Sequence, residues 1–226
     1  MSTHRRGALI VIEGLDRAGK STQHARVCQN LRNQGHRVKS MRFPDRTTPI
    51  GESIGAYLRG ESQQEDHVIH LLFSANRWEA AASIRTAIED GTTVVIDRYY
   101  YSGIVYSAAK GRDDLSLRWA REPEVGLPRP DLCLFLDVSP EVAARRGGFG
   151  NEKYETSVMQ KRVRELFYEL VQLRDGEDIE IVDAGRGIEV VERDIMEKVV
   201  RLMAHTKLTR HLRIMLPWNE MTQAPE

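Results

Sequence analysis

The chain of 226 residues is poor in cysteine, in net charge and in long apolar runs. Each shortage excludes something. Cys28 and Cys133 are the only cysteines, and both lie in apolar surroundings. They read as small buried hydrophobes rather than a disulfide, so a disulfide scaffold is excluded and a reducing setting follows, expected to be cytoplasmic with the nucleus as a second compartment. Lys plus Arg is 33 and Asp plus Glu is 33, a balance of zero. That argues against a general nucleic-acid or membrane-surface binder, without excluding a basic cleft. No apolar run approaches the roughly 18 residues of a membrane span. Met1 to Arg6 is too short and polar for a signal peptide.

What is present is a chain of alternating patterns. The apolar runs are Leu9–Ile12, Val38–Phe43, Thr92–Ile96, Leu132–Leu136 and Ile179–Val182. Helical spacing fills the intervals 19–34, 65–89, 101–109, 113–121, 156–174 and 188–204. Ser139 before Pro140 reads as a further helix cap. Five strands separated by helices predict an α/β three-layer sandwich, a five-stranded parallel sheet covered on both faces. Residues 1–206 are expected to form one domain, with a short lid near 145–155 and an extension, 207–226, to which no role is assigned. The bland reading of that extension is a peripheral segment with Trp218 docking on the core.

Ligands of such sheets bind beyond the strands' C-terminal ends. After the first run stands Gly14-Leu15-Asp16-Arg17-Ala18-Gly19-Lys20-Ser21, the G-x-x-x-x-G-K-[ST] pattern of a phosphate-binding loop. Glycines let successive N–H groups turn toward phosphate oxygens, and the following helix aims its positive end at them. Lys20 would reach the β- and γ-phosphates, and Ser21 would offer its hydroxyl to Mg²⁺. The third run ends in Asp97-Arg98-Tyr99 and the fourth in Asp137. One of the two acids suits a metal-associated carboxylate beside the loop, and Asp97 is favoured because Arg98 and Tyr99 surround it. Arg98 could hold a phosphate bidentately. Arg42-Phe43-Pro44-Asp45-Arg46 follows the second run and offers arginine to an anion or to solvent in equal measure. Phe73 and Arg77, four apart, share a helix face, as a base-binding pair or as a core Phe beside a surface Arg. Arg145-Arg146-Gly147-Gly148-Phe149-Gly150 suits a lid whose arginines cap phosphates, or an ordinary loop.

In this order these segments, with Leu71–Trp78, Ser102-Gly103 and Phe149–Glu155, resemble the thymidylate kinases among the nucleoside monophosphate kinases, over roughly residues 7–203. The resemblance implies Mg²⁺-dependent transfer of a phosphoryl group from ATP to dTMP. By it, Gly14, Arg17, Ala18, Gly19, Lys20, Ser21 and Thr22 hold ATP, with Arg186 and either Arg145 or Arg146 near adenine. Phe73 stacks on thymine and Arg77 bonds its edge. Asp16 approaches the 3′-hydroxyl, and Tyr154 crowds the 2′ position. Arg46 and Arg98 grip the acceptor phosphate. Phe43, Ser102, Gly103 and Tyr106 complete the acceptor site. Arg17, Lys20, Asp97 and Arg98 are the implied catalytic set, with Ser21 and Asp97 toward the metal. Arg17 in the loop marks the eukaryotic-like type. The resemblance also implies a homodimer, for which the Ala-rich helix 65–89 offers a smooth face. The alternatives are a kinase for another monophosphate or a deoxynucleoside, and a nucleotide-binding switch or scaffold. A guanine-reading Asn-Lys-x-Asp segment is absent.

Overall fold

In the computed structural model, residues 5–146, 153, 154, 156–204, 208 and 211–218 are described. Most of the lid expected near 145–155 therefore lies outside them. Five parallel strands, β1 (Leu9–Gly14), β2 (Val38–Arg42), β3 (Thr93–Asp97), β4 (Leu132–Asp137) and β5 (Ile179–Asp183), lie in the order β2-β3-β1-β4-β5. The central strands are the most apolar because helices cover both faces. Every residue of β1 and β3 is buried, whereas β2 and β5 at the edges alternate with exposed positions. The register sets Ile12 beside Asp97 and Arg42 beside Asp97. The ends of β1, β2 and β3 thus converge on one point.

The helices are α1 (Lys20–Asn33), α2 (Pro49–Leu58), α3 (Asp66–Glu89), α4 (Tyr100–Ala108), α5 (Leu117–Arg121), α6 (Pro140–Arg145), α7 (Ser157–Gln172) and α8 (Ile188–Ala204). Three differences from the sequence reading have local causes. Helix α2 was not expected, although Thr48 caps it through Gly51 N at 3.1 Å and Pro49 fills its first position. The interval 113–121 is helical only from Leu117, where Ser116 caps the chain at Trp119 N. A 3₁₀ turn, Glu122–Glu124, follows with Pro123 inside it. The interval 156–174 becomes α7, capped by Thr156 and closing at Gln172.

One large core joins both faces of the sheet. A smaller cluster, Ile54, Tyr57, Leu58 and Ile69, forms where α2 meets α3, with Phe73 and Tyr154 at its edge. Cys28 and Cys133 are free and buried. Residues 211–218 lie against the body of the molecule. Met215 is fully buried, and Ile214 forms an antiparallel bridge with Pro128. Trp218 lies 5.9 Å from the Arg121 guanidinium carbon.

Candidate active site

A cleft of about 1260 Å³ opens at the C-terminal ends of β1, β2 and β3. At one end it is lined by Arg17, Gly19, Lys20, Ser21 and Thr22, and at the other by Phe73, Arg77, Gly103 and Tyr154. Asp16, Phe43, Arg46, Asp97, Arg98, Ser102 and Tyr106 line the space between. Gly14, Ala18, Arg145, Arg146 and Arg186, also expected at the site, are not part of its wall.

The loop's shape depends on its glycines. Gly14 has φ 151°, and a Cβ there would come within 2.6 Å of Leu136 O. Gly19 has φ 88° and starts α1 without a capping side chain, leaving its first N–H groups for another acceptor. Arg17 also occupies the left-handed region, with φ 65°, as does Arg98. Lys20 is buried and donates to Leu15 O at 2.5 Å. Burial, with Arg98 adding to it, pushes the Lys20 ammonium down to about 7, against the pull of Asp16 and Asp97.

Ser21 Oγ donates to Asp97 Oδ2 at 2.9 Å. Two hard oxygen donors meet there, which suits Mg²⁺ in a site completed by phosphates and water. No group of three or more His, Cys, Asp or Glu suited to a metal gathers among the described residues. Burial raises the Asp97 carboxyl, but Lys20 and Arg42 outweigh it and hold it below the usual range. Arg42 reaches both partners, at 2.7 Å from Asp97 Oδ2 and 2.5 Å from Ser21 Oγ. Its proximity to this pair was legible only as one of two arginines beside the second strand. Asp137, the rival acid, is taken up by Arg164 at 2.6 and 2.7 Å and by Tyr168 at 2.9 Å.

Asp16 is held from three sides. Arg98 pairs with its Oδ1, while Gln160 Nε2 at 2.8 Å and Tyr106 OH at 3.3 Å donate to its Oδ2. Burial raises this carboxyl, and Arg98 and Lys20 bring it below the ordinary range. Gln160 also accepts from Asp16 N at 3.0 Å. Sequence reasoning missed Gln160, whose partner is 144 positions away. It missed Glu13 too. That residue is fully buried and accepts from Tyr99 N at 2.8 Å, Ser102 N at 3.1 Å and Ser102 Oγ at 2.5 Å. Burial raises the Glu13 carboxyl despite Arg98. Glu13 thus fixes the turn that carries Arg98 and Ser102.

In the far pocket the simple periodicity reading is inverted. Phe73 is only half-buried, while Arg77 is 2% exposed. Arg77 Nε donates to Glu124 Oε2 at 2.9 Å, and Nη2 pairs with Glu124 Oε1. Gly103 makes room for it, since a Cβ there would stand 2.6 Å from Arg77 Nη2. Glu124 carried no sequence signal, because it stands on a turn 47 positions away. Tyr154 OH donates to Tyr57 OH at 3.2 Å, and the Tyr154 ring lies 5.7 Å from that of Tyr106.

Around the loop's outer side the candidate arginines separate. Arg146 donates to Arg17 O at 2.9 Å and Ala184 O at 2.6 Å, tying the phosphate loop to the turn after β5. Arg145 is exposed at the end of α6. Arg186 is engaged with Asp183 and Asp194.

Residues 12–195 match the family model described as thymidylate kinase. The chain is 49% identical over 193 residues to thymidylate kinase from Danio rerio, covering 85% of this chain and 90% of that protein. It is 47% identical over 192 residues to the Homo sapiens enzyme, with 84% and 89% covered. With the Schizosaccharomyces pombe enzyme it shares 46% over 210 residues, with 92% and 99% covered. The solved structure of thymidylate kinase from Candida albicans superposes with a TM-score of 0.83 at 36% identity, over 94% of this chain and 99% of that one. A phosphate loop alone is common to many nucleotide binders, but the match extends through the pocket of Phe73 and Arg77, and the chain belongs to the thymidylate kinase family.

Proposed function

We propose that this chain transfers the γ-phosphoryl group of ATP to dTMP, giving dTDP and ADP. The observation that carries the reading is one continuous cleft, with a phosphate loop at one end and an aromatic–guanidinium pocket at the other. Two anionic groups brought together in line need cations around a single point more than they need covalent chemistry. Arg17, Lys20, Arg42, Arg46 and Arg98 all line that cleft.

In this reading the loop's N–H groups, Lys20 and Thr22 hold the donor phosphates. Ser21 and Asp97 would hold Mg²⁺, which supplies neutralisation of charge on the transferring group. Arg17 stabilises charge that develops in the transition state. Arg98 and Arg46 hold the acceptor phosphate, which attacks as an already ionised oxygen, so no side-chain base is required. Asp16, oriented by Gln160 and Tyr106, accepts from the sugar's 3′-hydroxyl. Tyr154 limits space at the 2′ position. Phe73 stacks on thymine, while Arg77, fixed by Glu124, donates to its edge. Arg146 and the turn at Asp183–Arg186 face adenine.

The finer assignments are a homodimer and a cytoplasmic setting with the nucleus as a second compartment. Two free, buried cysteines support the latter. Among the described residues no helix is long and apolar enough to cross a membrane.

The test is ADP release with dTMP, dUMP, UMP, AMP and thymidine offered in turn with MgATP. The expected result is turnover fastest with dTMP and negligible with thymidine. Preferred turnover of another acceptor would overturn the substrate assignment, and none with any acceptor would make the chain a binder.

A further inference from the structure

Residues 211–218 do more than cover the core. Three backbone hydrogen bonds lay this segment along 126–129: Gly126 N to Met215 O at 2.9 Å, Met215 N to Leu127 O at 2.9 Å, and Arg129 N to Arg213 O at 2.8 Å. Its far end is also fastened. Arg121, itself fully buried, donates through Nη1 to Leu216 O and lies under the Trp218 ring. Arg213 anchors the near end by donating to Asp178 Oδ1 at 2.5 Å and Pro130 O at 3.1 Å.

What lies between the two grips is the Glu122–Glu124 turn. Arg121 immediately precedes it, and Gly126 and Leu127 follow it across Val125. The turn carries Glu124, fully buried, whose two carboxylate oxygens are both spent on Arg77. The turn is also held to the helix that carries Arg77. Ser74 Oγ donates to Pro123 O at 3.1 Å and Trp78 Nε1 to Pro123 O at 2.8 Å. A guanidinium inside a cleft is only as well placed as the group that holds it, and shifts of about half an ångström already cost recognition. The C-terminal segment is thus mechanically in series with the base pocket: 211–218, then 121–127, then Glu124, then Arg77.

We propose that residues 211–218 are a positioning strap that fixes the Glu124 carboxylate and, through it, Arg77 for recognition of the acceptor base. The proposal rests on the assignment of the acceptor base to the Phe73 and Arg77 pocket. The segment touches no reacting atom. Its effect is confined to one substrate, because its grips fall beside the base pocket and not on the phosphate loop.

The experiment is a double-mutant cycle on the full chain. One break is a chain stopped after residue 210. A milder one is Trp218→Ala, which removes a half-buried ring outside the core cluster and uncovers Arg121. Each is made alone and with Arg77→Ala. Binding of dTMP and of β,γ-imido-ATP is titrated by calorimetry, with KM, kcat and a melting curve for each variant.

The strap predicts a dTMP affinity lower by about 3- to 30-fold in the truncated chain and a smaller loss of the same sign in Trp218→Ala. Binding of the ATP analogue should stay within about twofold, since the phosphate loop is a separate contact surface. In the Arg77→Ala background neither break should weaken dTMP further. Additive losses, or equal losses for both ligands, would overturn the strap and leave the segment as plain packing. Should the truncated chain fail to fold, the Trp218→Ala cycle decides by the same criteria. If Arg77→Ala itself binds dTMP normally, it is the base-pocket assignment that fails, and the cycle distinguishes that case from a failed strap.

Discussion

Phe73 and Arg77 divide the work of one pocket between exposure and burial. Phe73 keeps a face toward the cleft, whereas Arg77 is buried and held by Glu124. Phe73→Ala should therefore weaken dTMP by roughly 5- to 150-fold, the stacking of one base. Binding of an ATP analogue should barely change. Calorimetric titration with each ligand checks this, and equal losses together with a large melting drop would return Phe73 to the core. His70, one turn before Ser74, behaves differently. It is 1% exposed, its Nδ1 lies 2.7 Å from Ser107 Oγ, and burial, with Arg77 adding, pushes its imidazole from 6.5 down to about 3. The folded state keeps it neutral while the unfolded chain takes up a proton below about 6.5. The unfolded state then binds more protons, so stability falls as pH drops from about 6.5 toward 3, at up to about 1.4 kcal/mol per unit. Urea unfolding at pH 7, 6, 5 and 4 measures the slope. His70→Gln should flatten it, and an unchanged slope would assign the acid sensitivity to other groups.

At the scale of elements, the phosphate loop and the turn after β3 each carry an arginine in the left-handed region, Arg17 and Arg98, both at φ 65°. A non-glycine residue there costs about 1 kcal/mol. Arg17→Gly should hold or slightly raise the melting temperature, because glycine adopts that backbone freely. The same change should lower kcat by about 100-fold or more if Arg17 meets charge that develops in the transition state. Steady-state kinetics beside a melting curve reads the two opposed effects. A rise in the dTMP KM at constant kcat would make Arg17 a ground-state binder instead. These elements were legible in the sequence for a physical reason. A phosphate loop is local, its residues consecutive, and a sheet buried on both faces prints continuous apolar runs such as Leu9–Ile12. Helix α2 was harder to see because its Thr48-Pro49 start was embedded in a polar loop reading. Glu124, Gln160 and Glu13 were not legible at all. Their partners are 47, 144 and up to 89 positions away, and nothing near them in sequence registers a hydrogen bond or ion pair that only folding assembles. The grip of residues 211–218 on 126–129 is made by backbone groups, which leave no trace in side-chain identity.

For the whole molecule the open quantity is the number of copies that assemble. The Ala-rich face of α3 does not remain outside, as the sequence reading implied. Ala81 is buried, and Ala80 and Ala87 pack against the core. What α3 leaves to solvent is larger: Val68 is 44% exposed, Leu71 47% and Trp78 39%. With Ala75 and Ala82 these follow one another at steps of three or four residues, so they form one stripe along the helix. Large apolar side chains aligned on a single helix, rather than scattered singly, are what a self-associating face presents. The same helix carries Phe73 and Arg77 on another side, so pairing along the stripe would stiffen the wall of the pocket they line as well. Sedimentation at micromolar concentration should find a species of twice the 25.8 kDa chain. Leu71→Asp places a charge in the stripe without disturbing the core, and should shift the population to monomer with the fold intact by circular dichroism. If the chain sediments near 26 kDa at every concentration, and Leu71→Asp changes nothing, the stripe is ordinary surface and the dimer is excluded.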